Sequence, residues 1–110
     1  MPLLKRARIE IYLPQRGRSD YARLQSAFES EFLHTFGGCT VIKNIKGLYL
    51  GSDGEVDGEP VNLVYSDTPF EFDGHFAEIS RYTDELREAA LEASDEESVL
   101  VVVQQIYHSI

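Results

Sequence analysis

Arg8-Ile9-Glu10-Ile11-Tyr12-Leu13 alternates polar and apolar side chains near the start of the chain, the period-two pattern of a strand with one buried face. Residues 6–13 read as that strand, with Ala7, Ile9, Ile11 and Leu13 on one side and Arg8, Glu10 and Tyr12 on the other. Pro14 and Gly17 end it. Leu24, Phe28, Phe32 and Phe36 then recur at every fourth position, with Tyr21 on the same stripe, which predicts an amphipathic helix. Ser19 or Asp20 is its candidate N-cap, and Gly37-Gly38 stops it. Thr40 to Leu50 reads as a less regular strand that Asn44 and Gly47 are expected to bend or bulge. The run from Gly51 to Gly58 is a turn signal leading to a third strand at Val61–Tyr65, with Pro60 tolerated at its start. A loop with proline and aromatics, 67–73, precedes a second helix from about Gly74 to Ala93. Asp73 is its candidate cap, and Phe76, Ile79, Tyr82 or Thr83, Leu86 and Ala90 are its buried stripe. The last strand, from near Glu97 or Ser98, is apolar without a break from Val99 to Val103.

The order β-α-β-β-α-β within 110 residues predicts an α+β fold, a single ferredoxin-like domain spanning residues 1–110. Right-handed crossovers place four antiparallel strands in the order 4-1-3-2 with both helices on one face. The other sheet face should be polar in a monomer. The first strand complies. The last does not, because Val99, Val101 and Val103 alternate with Leu100, Val102 and Ile106. One of these sets must lie on the uncovered face, and each such side chain left wet forgoes about 1.5–3 kcal/mol. A homo-oligomer, foremost a homodimer, is therefore expected through the open sheet face or the last strand. The alternative cover is the C-terminal tail or the 67–73 loop.

Charge narrows the partners. The net charge is −9, unevenly spread: residues 1–48 hold eight basic and four acidic side chains, residues 49–97 two basic and fifteen acidic ones, and the last thirteen none of either sign. A field of this sign repels nucleic acid and anionic membrane, so neither is expected as a partner. No apolar run approaches the roughly 18–20 residues of a membrane span. Met1 to Leu4 is too short for a signal core, and Lys5 and Arg6 follow it rather than precede it. The lone Cys39 excludes an intrachain disulfide and fits a reducing compartment, so a cytoplasmic location is expected. It reads as a small buried hydrophobe, and the absence of Cys-x-x-Cys argues against a metallochaperone or redox role.

Few residues suggest chemistry. The loop Gln15-Arg16-Gly17-Arg18-Ser19 stands before the first helix, where free backbone N–H groups and the helix dipole attract anions. Arg16, Gly17, Arg18 and Ser19 are thus an anion-binding candidate, placed like the phosphate loop of small acyl-phosphate hydrolases but without their sequence. His34, His75 and His108 lack metal-ligand spacing, and the acidic hairpin from Asp53 to Glu59 lacks that of a calcium loop, so no metal and no cofactor are expected. Tyr12 and Tyr65 could occupy central strands as base-stacking aromatics do, but the basic-aromatic RNA-binding motif is absent. The carboxylates of the second helix lie off its apolar stripe, on a solvent face.

Ile9-Glu10-Ile11-Tyr12, Phe36-Gly37-Gly38-Cys39-Thr40-Val41, Lys46-Gly47-Leu48-Tyr49 and Glu96-Glu97-Ser98-Val99-Leu100 resemble the pattern of small uncharacterised bacterial domains with a ferredoxin-like fold. That resemblance implies a fold and no activity, and carries no site residues with it. The P-II signalling and divalent-ion-tolerance proteins share the length and element order and form trimers, but this chain lacks the long P-II loop between strands two and three. The dimeric α+β-barrel proteins, some of them cofactor-independent oxygenases or isomerases, pair two such sheets around a cleft and fit the apolar last strand better. The expected function is accordingly a non-catalytic or small-ligand-sensing homo-oligomer. The alternative is a small enzyme of the dimeric-barrel type acting on a hydrophobic metabolite. Arg8, Tyr12, Tyr49 and His108 would be its polar ligand-binding residues, in a cleft between sheet and helices.

Overall fold

The computed structural model describes residues 3–15, 19–94 and 99–109, with Ser19, Asp20, Tyr49 and Asp57 described by backbone alone. The elements follow in the order β1 (Leu4–Pro14), α1 (Ser19–Phe36), β2 (Thr40–Leu50), β3 (Val56–Asp67), α2 (Phe76–Glu92) and β4 (Leu100–His108). They form one antiparallel sheet in the order β2-β3-β1-β4, the predicted ferredoxin-like topology read from the opposite edge.

Strand alternation decides what the helices cover. Ala7, Ile9, Ile11 and Leu13 of β1 are buried, and the pairs Ile9–Val103, Ile11–Val101 and Ile11–Val64 extend that face across the sheet. Against it α1 presents Leu24, Phe28 and Phe32, and α2 presents Leu86 and Ala90. Burial of these side chains, at about 1.5–3 kcal/mol each, is what fixes both helices to one side. Phe36 closes the layer at the end of α1, edge-on to Tyr82 at 5.4 Å and to Phe70 at 5.9 Å. Phe70 thereby draws the 67–73 loop to the helix side, where Ala7 bonds to Phe70 and Thr68 through its backbone.

Several expectations change in detail. The second helix begins at Phe76 with His75, not Asp73, at the cap, and Phe76 is exposed against Phe72 instead of joining the stripe. The bulge falls between Ile42 and Ile45, with Asn44 at φ 62°, while Gly47 pairs regularly with Glu59. The hairpin turn shrinks to residues 51–55, closed by Gly51 N–H to the Glu55 carbonyl and by Asp53 Oδ1 accepting from Glu55 N–H. Pro60 lies inside β3. Its carbonyl faces β1 and accepts from Gln15 N–H, so its missing donor costs no bond to β2. The expected strand start at Glu97 or Ser98 lies outside the described residues.

Candidate functional site

The uncovered face of the sheet carries the side chains that the first-strand alternation turned away from the helices. Register sets Arg8 opposite Asp67 and Glu10 opposite Tyr65 on one flank, and Arg8 opposite Gln104 and Glu10 opposite Val102 on the other. The Arg8 guanidinium donates to both Asp67 carboxylate oxygens, at 2.6 and 3.1 Å, and lies 4.3 Å from the centre of the Tyr65 ring. The planar fork suits both a bidentate carboxylate and an aromatic face. Asp67 holds Arg8 protonated even more firmly than usual, its hydrogen bond outweighing partial burial. Glu10 is only 4% exposed although no helix covers it, and accepts from Tyr12 Oη at 3.2 Å and Gln104 Nε2 at 2.9 Å. Desolvation first, then the Glu10 charge, pushes the Tyr12 phenol up.

This polar cluster is set in apolar surroundings. Leu63 lies opposite Tyr12 and Val61 opposite Pro14, while Leu100, Val102 and Ile106 take the same face of β4. Leu100 and Ile42 are well exposed. A groove of about 360 Å³ adjoins the cluster and shares Tyr65 and Asp67 with it; its other wall is the turn from Phe36 to Thr40. Gly37 makes that turn at φ 87°, a left-handed conformation glycine adopts without steric cost. Ser66 Oγ donates to the Gly38 carbonyl at 2.6 Å and holds the turn against β3. The volume sits at the low end of small-ligand sites.

Of the residues singled out from the sequence, Arg8 and Tyr12 stand together here. His108 lies at the far end of β4, opposite Leu4, with its Nε2 buried and without a hydrogen-bond partner among the described residues. Tyr49 pairs by backbone with Asp57 out on the β2–β3 hairpin, away from Arg8. Among the described residues, Ile9, Ile11, Phe28, Phe32 and Leu86 pack together in the space between sheet and helices where the cleft was expected. Arg16, Gly17 and Arg18 lie outside the described residues, and Ser19 is placed only as the first residue of α1. Glu10, Asp67 and Gln104 were not anticipated as site residues, and Tyr65 was considered only as a base-stacking aromatic. Glu10 could have been, since it stands between Arg8 and Tyr12 on the same strand face. The other three depend on strand register. Among the described residues no group of three or more His, Cys, Asp or Glu could hold a metal ion, and no helix is long and apolar enough to cross a membrane.

No protein-family model matches the chain, and no curated protein matches it in sequence. Solved structures do match. CutA1 from Oryza sativa superposes with a TM-score of 0.62 at 16% identity, over 98% of this chain and 85% of that one. A divalent cation tolerance protein from Thermus thermophilus gives 0.57 at 11% identity, over 94% and 84%. CPII from Thiomonas intermedia, a nitrogen regulatory PII-like protein bound to ADP, AMP and bicarbonate, gives 0.54 at 20% identity, over 99% and 100%. The short turn counts against the P-II proteins in the sequence, yet a PII-like protein is among the structures that superpose. The resemblance to uncharacterised bacterial domains gains no support at the level of family or sequence. At such identities the likeness is one of architecture, and the chain has the ferredoxin-like α+β fold of CutA1 and PII-like proteins.

Proposed function

We propose that this protein is a non-catalytic, small-ligand-sensing homo-oligomer that works as one domain and assembles through its open sheet face. The observation that supports this is the composition of that face: a hydrogen-bonded cluster of Arg8, Asp67, Tyr65, Glu10, Tyr12 and Gln104 framed by the half-buried Val102 and Ile106 and the exposed Leu100. A solvent-facing sheet surface has no need of apolar side chains in such a row, whereas an interface gains from each one it covers. The 67–73 loop, one of the two segments expected to cover the face, is held on the helix side instead. β4 is moreover an edge strand with no Lys, Arg, Asp, Glu or Pro in its nine positions, an edge left ready for pairing.

The ligand would sit in the groove between the Phe36–Thr40 turn and Tyr65, within reach of Arg8. A guanidinium already stacked on an aromatic ring suits a small planar anion, and the nucleotides named with CPII make AMP and ADP the first probes. Light scattering at tens of micromolar should give a mass of at least two copies. Calorimetry should show saturable binding of AMP or ADP that Arg8→Gln weakens by tenfold or more. A monomer at that concentration would defeat the assembly, and no heat with either nucleotide would defeat this choice of ligand.

A further inference from the structure

The β2–β3 hairpin does not stop where the sheet does. β1 ends at Pro14 opposite Val61, and among the described residues the bond from Gln15 N–H, just past β1, to the Pro60 carbonyl is the last that ties this stretch to the hairpin. Beyond it, among the described residues, only β2 and β3 pair with each other as far as the turn at 51–55. The reach shows in the dimensions. A compact chain of this length has a radius of gyration of about 13 Å. Here it is 15.0 Å, and the molecule measures 49 Å along one axis against 27 and 25 Å along the others.

This arm is not a plain solvent-facing ribbon. Register puts Leu48 and Leu50 of β2 and Val56 of β3 on one side, the side the helices occupy lower down. They are 62%, 76% and 64% exposed, so the rest of the chain does not cover them. Two-stranded ribbons have little stability of their own, and a run of large aliphatics on one side implies a surface that meets it. Asp53 and Glu55 make the end of the arm acidic, with Asp53 engaged in the turn and the Glu55 carboxylate outside it.

A complementary surface lies elsewhere on the molecule. Where the first turns of α1 pass the end of α2, Arg23, Leu24, Ala27 and Ala93 line a largely apolar groove of about 300 Å³. Arg23 is exposed and has no hydrogen-bond or ion-pair partner among the described residues. We infer that the arm of one copy lies in this groove of a second copy, its aliphatic side inward, with Glu55 meeting Arg23. The partner is a second copy because stripe and groove are complementary in both polarity and charge. Reciprocal docking would make the contact isologous, the same two patches being used twice about a two-fold axis. The inference rests on the reading of the chain as a homo-oligomer, to which it adds a contact separate from the open sheet face.

Cross-linking between copies tests it on the full chain. In a Cys39→Ala background, one population carries Leu50→Cys and the other Ala27→Cys. After mixing, a short bismaleimide should join them into a mixed dimer, while either population alone gives little. Arg23→Glu should weaken self-association by tenfold or more, and adding Glu55→Arg should restore it. Both positions are exposed, so folding is unaffected and circular dichroism checks that it is. No mixed product and an unchanged mass for Arg23→Glu, with wild type still oligomeric, would overturn the arm contact and leave the oligomer standing. A monomeric wild type would remove both.

Discussion

Tyr82 spans the two helices at the scale of a single side chain: its ring packs on Phe36 and its hydroxyl donates to Glu31 Oε1 at 2.9 Å. Burial, and then the Glu31 carboxylate, push the phenol well above its ordinary value of 10. Tyr12 is shifted in the same direction, by burial and by Glu10. For an acid whose folded pKa is raised, the unfolded chain loses its proton first as pH climbs. The stability these two phenols contribute is therefore intact below pH 10 and falls above it. Urea unfolding at pH 9 and pH 11 should show the loss, and Tyr82→Phe should flatten it while lowering stability at pH 9, since Glu31 loses a donor. A wild-type midpoint unchanged between the two pH values would contradict this account. Phe32 makes a simpler case. It is fully buried in the main cluster, so Phe32→Ala should cost about 3–5 kcal/mol, read as a lower urea midpoint at constant slope.

Asn44 shows what an element asks of its sequence. The bulge in β2 sets it at φ 62°, and its N–H donates to Asn62 Oδ1 at 3.1 Å while Asn62 Nδ2 donates to Gln25 on α1. Asparagine tolerates the left-handed region and alanine does not, so Asn44→Ala should cost about 1 kcal/mol and Asn44→Gly much less, by chemical denaturation. This bulge could be read from the sequence because asparagine fits a regular strand poorly and a left-handed residue well. The first strand, both helices and the strand order could be read because each buries one continuous stripe that periodicity reveals. The arm could not. Its aliphatic side, Leu48, Leu50 and Val56, is exposed, Val56 to Gly58 shows no alternation, and Asp-Gly pairs in it resemble a wider turn than the one that forms. The candidate site divides similarly. Arg8 and Tyr12 follow from alternation within β1. Asp67 and Tyr65 become their neighbours only through a register set some 55 residues away, which no local spacing encodes.

Across the whole molecule, the question is what the uncovered sheet face does, and one substitution separates the answers. Val102 lies on that face, opposite Glu10. In an isolated chain Val102→Lys would place an ammonium on an edge strand beside a carboxylate, in contact with water, with little effect on stability. In an assembly that covers the face, the same ammonium would lose its hydration with Glu10 already committed to Tyr12 and Gln104, and association should weaken by tenfold or more. The expected result is thus a smaller mass by light scattering with the unfolding midpoint of the dissociated chain nearly unchanged. Salt adds an independent check. Each copy carries a net charge of −9, so bringing copies together opposes like charges, and raising the ionic strength from 0.01 to 0.15 M shortens the screening length from about 30 to about 8 Å. Association through an apolar face should therefore tighten with added salt. Weakening would instead mean that ion pairs such as Arg23 with Glu55 dominate the contact, and would shift the weight of the assembly from the open sheet to the arm.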